Sequence, residues 1–398
     1  MVRFLKRITA VVLLLTVSAT FTGCWDNREL NELAIVMGIA LDKADNGNLN
    51  VTAQVARCNS EQSSSGGGMR GSSMGSYSNL VYEDSDFFEI IRKMTTISNR
   101  QLYNSHTEVV LFGSDVAESG VRDYVDYLVR DNEFRYTMWL AVAEGKASDV
   151  FDATTYFDDM PATELSQLID MQEVNSLNVR VTLLDYIKSM AEESASTLLP
   201  FVKIEKTDNS KGADGSEQET ETKGIKLSGA AVIKKDRMIG TIDSSTVRGY
   251  LWVRDEEESS VIVTDGENGA NIEVLDSKGD FDVSITSSGK INVKVKVDAT
   301  CMVGMVKGDN NDKKTDLVKL LEKDCKKVIE QEIIKAFEES KRLDADFIGI
   351  ANQLNQLNHK EWYAYKNSEN GDGYLQNIEL STDIKVNIKG IGTLNIAH

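Results

Sequence analysis

Histidine is nearly absent from this 398-residue chain. His106, His359 and His398 stand far apart, and none shows the spacing of a metal site. Cysteine is scarce too, at positions 24, 58, 301 and 325. If Cys24 is consumed by modification an odd three remain, so no disulfide framework follows. One bond could form in an oxidising compartment, and the sequence does not choose its pair; small buried thiols are the simpler reading. Also missing are a Gly-x-Ser-x-Gly elbow, a His-Glu-x-x-His pair, a P-loop and a Cys-x-x-Cys motif. The sequence therefore offers no catalytic, cofactor or metal site, and the chain reads as a non-enzyme.

Basic residues are outnumbered, 44 Lys and Arg against 63 Asp and Glu, for a net charge of -19. Such a surface repels phosphates, which argues against nucleic acid and against adsorption to anionic lipid. Apolar runs long enough to cross a bilayer are lacking as well. The longest, Ile8 to Phe21, is too short to span comfortably and follows the basic residues Arg3, Lys6 and Arg7, as in a signal peptide. It ends in Phe21-Thr22-Gly23-Cys24. Small residues before a cysteine suit a lipoprotein signal peptidase, although Phe21 stands where such signals usually carry Leu. The expectation is cleavage after residue 23 and acylation of Cys24. Two acyl chains, at about 0.8 kcal/mol per buried CH₂, give lasting attachment. Cleavage removes three basic residues and no acidic one, taking the charge from -19 to -22.

What is present is alternation of strand and helix patterns. Leu33 to Leu41 is almost wholly apolar, the mark of a strand buried on both faces, and Asn46-Gly47 predicts a two-residue hairpin turn to the Val51, Ala53, Val55 strand. Residues 63–78 form a Ser/Gly-rich loop. Asp86 to Glu89 opens a helix through Met94, and Val116 to Val129 is a helix between strands at Thr107 to Phe112 and Tyr136 to Ala143. Helices at Thr163 to Asn175 and Thr182 to Glu193 precede a short strand, Phe201 to Glu205. Lys206 to Lys223 is polar and reads as a linker at a domain boundary. Beyond it come a hairpin with Lys234-Lys235-Asp236-Arg237 at its tip, several strands including Ile291 to Cys301, a long amphipathic helix from Thr315 to Lys341, a helix from Ala345 to Leu357, and a closing strand around Ile384 to Ile388.

A few residues invite functional readings. His106 and Glu108, two apart in an expected strand, share a face and could form an acid–base pair, although a rim pair is the simpler account. Asp255 to Glu258 reads as a solvated loop, while Arg254 and Lys234, Lys235 and Arg237 are candidate docking points. Asp42 to Gly47 resembles a calcium loop faintly, but Ala44 and Ala53 stand where oxygen ligands are required. Gly390-Ile391-Gly392 opens no helix and reads as a strand bulge or bend.

Three ordered blocks suggest a family. Cys24-Trp25-Asp26 with Glu29-Leu30-Asn31-Glu32 and Gly38-Ile39-Ala40-Leu41-Asp42 forms the first. Asp131-Asn132-Glu133-Phe134-Arg135 with Ala143-Glu144-Gly145-Lys146-Ala147 forms the second, and Gly229-Ala230-Ala231-Val232 with Arg248-Gly249-Tyr250-Leu251-Trp252 the third. Together they resemble the Ger(x)C lipoproteins, the C subunits of spore germinant receptors. The resemblance implies α+β domains, three in number, each a mixed or antiparallel sheet with packed helices. With the signal peptide at 1–23, the expected domains are 24–160, 161–225 (including the linker) and 226–398. It further implies lipid attachment at Cys24 to the outer face of the spore inner membrane, integral membrane A and B subunits as partners, one of them transporter-like, and no known catalysis. The alternative is a tethered solute-binding lipoprotein that captures a small nutrient directly.

Overall fold

A computed structural model describes residues 2–20, 32–57, 76–207, 222–264, 269–306, 314–369 and 371–390. Cys24, Trp25, Asp26, Cys58 and His398 lie outside the described residues, as do Ile391 and Gly392. The fold is α+β, with two sheets and packed helices.

The first sheet comprises β1 (Leu33–Lys43), β2 (Leu49–Ala56), β3 (Tyr77–Asp84), β4 (Gln101–Tyr103), β5 (Val109–Gly113), β6 (Trp139–Ala143), β7 (Ser196–Thr207), β8 (Thr222–Lys234) and β9 (Arg237–Ile242). Its order is β3-β2-β1-β5-β6-β7-β8-β9, with β4 pairing the start of β1. The middle pairs, β1-β5-β6-β7, are parallel, and antiparallel strands flank them on both sides. Parallel strands need crossovers, and the crossover helices cover both faces, which is why β5, β6 and β1 as far as Leu41 are apolar throughout. Ile39, Leu41, Val110, Phe112, Leu140 and Val142 enter one core, while Ala40, Val109, Leu111, Ala141 and Ala143 enter the other.

The second sheet is β10 (Ser260–Val263), β11 (Ala270–Ile285), β12 (Ile291–Val306) and β13 (Ile378–Gly390), in that order, with only β12-β13 parallel. The helices Lys314–Arg342, Ile350–Leu357 and His359–Lys366 lie in the crossover between them. Here β12 alternates, with Ile291, Val293, Val295, Val297 and Ala299 buried, because helices cover one face only. The larger core runs without a break from the first sheet into the second.

Several local readings change. The hairpin after β1 closes through three residues, Asp45–Gly47, with Gly47 N–H donating to the Ala44 carbonyl at 2.9 Å and Ala44 N–H to that of Asn48 at 2.9 Å. The helix expected from Val116 to Val129 is two, Ser114–Ser119 and Arg122–Arg130, broken at Gly120, whose φ of 122° no helix accommodates. Likewise Thr163 to Asn175 divides into Pro161–Asp170 and Gln172–Asn175. The strand near Phe201 begins five residues earlier and runs through Pro200, where a register shift absorbs the missing donor. The polar stretch from Lys206 to Lys223 joins β7 to β8 of one sheet, which pair antiparallel on either side of it. Ser244–Arg254, expected among strands, is a helix: Asp243 accepts from Thr246 N–H at 2.9 Å and overrides the local β preference.

Candidate binding groove and a buried ionic junction

Several of the described residues that carry the family resemblance hold the fold together. Asp42, only 4% exposed, ends the first block and accepts from the N–H groups of Ala147 at 2.6 Å and Ser148 at 2.8 Å. It thereby caps the Ala147–Phe151 helix directly after the Ala143–Ala147 block. Asp131 accepts from Glu133 N–H at 2.9 Å and from the Tyr127 hydroxyl at 3.0 Å.

The third block builds a buried junction. Arg248 Nε donates to Glu332 at 3.0 and 2.9 Å, its Nη2 also reaches that carboxylate, and Nη1 donates to the Val261 carbonyl at 3.0 Å. Trp252 Nε1 donates to the same Glu332 at 3.0 Å. One ion pair thus ties the Ser244–Arg254 helix, the long helix and the edge strand β10. Gly249 is required between them, since a Cβ there would stand 2.0 Å from the Glu332 carbonyl oxygen. Glu332 carried a sequence signal: it sits four residues from both Val328 and Ala336 on the apolar stripe of its helix.

Of the acidic run Asp255 to Glu258, three residues are exposed as expected, but Glu257 is 3% exposed. Among the described residues neither of its carboxylate oxygens has a partner at hydrogen-bonding geometry. Burial pushes its carboxyl up to about 7, with Ser260, Ser176 and Arg248 working against the shift and Glu332 adding to it. Of the four candidate docking cations, two are engaged within the chain: Arg254 lies 3.8 Å from Glu256, and Lys234 Nζ lies 2.7 Å from Asp344.

Cys301 and Cys325 are buried free thiols. Burial pushes them up to about 11 and about 12, which keeps both protonated and unreactive. His106 and Glu108 are not on one strand: His106 ends a 3-10 turn, Asn104–His106, and no hydrogen bond or ion pair joins the two among the described residues. Both line a small cavity of about 180 Å³, where burial raises the Glu108 carboxyl while Thr163 and Ser166 oppose the rise.

A larger groove of about 560 Å³ has no signature in the sequence because two stretches of chain, residues 88–104 and 127–133, build it together. The Phe87–Lys93 helix and the residues after it contribute Phe88, Arg92 and Arg100, and the Arg122–Arg130 helix and the residues after it contribute Tyr127, Asp131 and Glu133; the Phe88 and Tyr127 rings meet edge to face at 5.8 Å. Asn104, 3% exposed, lies in the groove with its side-chain nitrogen 3.5 Å from Glu133 and its carbonyl oxygen unpartnered.

Comparison with known proteins supplies the family. Residues 26–204 match the spore germination protein N-terminal domain, and residues 228–392 match the spore germination B3/GerAC-like C-terminal domain. Spore germination protein KC of Bacillus subtilis (strain 168) is 25% identical over 401 residues, covering 98% of this chain and 97% of that protein. Spore germination protein YndF of the same organism is 23% identical, covering 98% of each. The crystal structure of the GerBC protein superposes with a TM-score of 0.55 at 17% identity, covering 92% of this chain and all of that one, and so shares the fold. Both halves match in order, and the chain belongs to the GerAC-like family of spore germination proteins.

Proposed function

We propose that this chain is the C subunit of a nutrient germinant receptor, a non-enzymatic lipoprotein held at the outer face of the spore inner membrane. It assembles there with integral membrane A and B subunits and is required for the response to nutrients. The observation that carries this reading is the family match over residues 26–204 and 228–392. Two features of the sequence support the tether: the basic-then-apolar N-terminal segment and Gly23-Cys24 at its end. The apolar segment is helical over Val2–Thr20, and no helix among the described residues is long and apolar enough to cross a membrane. Anchoring by acyl chains confines the chain to the membrane surface, where modest contacts suffice for assembly with embedded partners.

Affinity purification of the tagged chain from detergent-solubilised spore membranes tests the reading. Two integral membrane proteins, one transporter-like, are expected to co-elute. Recovery of the chain without either contradicts it. A Cys24→Ala variant is expected to fold yet leave the membrane pellet on fractionation; its retention there would refute the lipid anchor.

A further inference from the structure

The groove between the Phe87–Lys93 helix and the Arg122–Arg130 helix gathers charges of both signs that form no ion pair among the described residues. Elsewhere Lys93 lies 2.5 Å from Asp84 and 2.7 Å from Glu89, and Arg130 lies 2.6 Å from Asp126. Arg92 and Arg100 have no carboxylate within 4.0 Å, and Asp131 and Glu133 have no cation, among the described residues. The two arginines come from the chain on either side of the Met94–Thr96 turn and the two carboxylates from the stretch after the Arg122–Arg130 helix. The Arg92 guanidinium instead stacks 4.9 Å over the Phe88 ring, and Asp131 and Glu133 accept only from neutral donors, the Tyr127 hydroxyl and the Asn104 amide groups among them. Buried Asn104 adds an acceptor oxygen with no donor among the described residues, an unfavourable condition that a bound N–H would relieve.

A ligand that satisfied all of these would carry a carboxylate for the two arginines and an ammonium for the two carboxylates. It would also bring an N–H for Asn104 and apolar side chains for Phe88, Ile91 and Tyr127. The volume of about 560 Å³ exceeds the needs of one amino acid and suits two or three residues. We propose that this groove binds a short peptide with both termini free and charged, carboxylate end toward Arg92 and Arg100, amino end toward Asp131 and Glu133. The proposal goes beyond the receptor-subunit reading and does not depend on it, because it concerns the chain without its partners.

Calorimetry of the full chain in detergent micelles tests it, with leucyl-leucine as probe beside its N-acetylated, C-amidated and doubly blocked forms. The free dipeptide is expected to bind saturably. Blocking either end weakens it by about tenfold or more, since each removes one charge-assisted contact, and blocking both abolishes binding. Arg100→Gln and Glu133→Gln are each expected to reproduce the loss caused by blocking the corresponding end. Their unfolding midpoints should change little, because neither residue holds an ion pair in the free protein and the amide oxygen introduced by Glu133→Gln can still accept from Asn104. Absence of saturable heat at about 10 mM peptide overturns the proposal. So does equal binding of all four forms, which is apolar adsorption, or binding indifferent to both substitutions.

Discussion

The two sheets solve the same problem with opposite means. In the first, helices cover both faces of β1, β5 and β6, so adjacent residues enter different cores and polar groups are confined to a few caps such as Asp42. In the second, one face of β11, β12 and β13 meets helices and the other meets water. Its outer surface is a charge ladder: Lys296 to Asp282 at 2.6 Å, Lys294 to Asp383 at 3.8 Å and Lys385 to Asp298 at 3.8 Å. Yet it is the region around the one-sided sheet that buries an ion pair, Arg248–Glu332, with side chains 13% and 8% exposed. Among the described residues no pair around the first sheet is buried on both sides. The contrast teaches where charge matters: an exposed ladder contributes little, whereas one buried pair fixes how two helices and an edge strand meet.

The sharpest way to break the comparison is at that pair. Glu332→Ala leaves the Arg248 guanidinium buried without its counter-charge and is expected to cost about 3–5 kcal/mol in urea unfolding. The double change Arg248→Met with Glu332→Leu should recover much of that loss. If Glu332→Ala is no worse than an average surface change, the junction does not hold the two helices together.

Glu257 gives the next effect, through pH. Its carboxyl titrates near 4.5 when unfolded and is raised to about 7 in the folded chain. Between those values the native state holds a proton that the unfolded state has lost. Stability therefore falls as pH rises from 4.5 to 7, by about 3 kcal/mol, and levels off above. Glu257→Gln should flatten that slope and make the chain more stable than the parent at pH 8, as unfolding midpoints measured across pH 4–8 would register.

Around the first sheet, Asp42→Ala removes two charge-assisted bonds to the Ala147–Phe151 helix and should cost about 2 kcal/mol. Asp42→Asn, which keeps one acceptor, should cost less. Smallest of all, Lys294→Ala and Asp383→Ala on the ladder should leave the unfolding midpoint within experimental error. A ladder deletion as costly as Asp42→Ala would erase the distinction between the two regions.

The same contrast governs what was legible in the sequence. Double burial writes itself as an unbroken apolar run, so β1 could be seen directly; strict alternation made β12 equally plain. The long helix from Lys314 to Arg342 followed from its stripe to within one residue at either end. Ser244–Arg254 was hidden because Thr, Val, Tyr and Trp favour strands while the decisive Asp243 cap is a single residue outside the pattern. β3 and β11 escaped for lack of a clean pattern: β3 is half-exposed along much of its length, and β11 carries a bulge between Val274 and Asp276. The groove was not legible at all, since Arg92, Arg100, Asn104 and Glu133 come together only when β4 pairs with β1 and the Arg122–Arg130 helix packs behind it. Glu257 looked like one more acid in a solvated run; only its burial sets it apart.

The functional account rests on a tether, and intact-mass spectrometry of the native protein from spore membranes addresses it most directly. The account predicts a chain beginning at Cys24 whose N-terminal peptide carries the added mass of a diacylglycerol or of further acylation. A chain that retains residues 1–23, or one that begins at Cys24 with a free thiol, would contradict it.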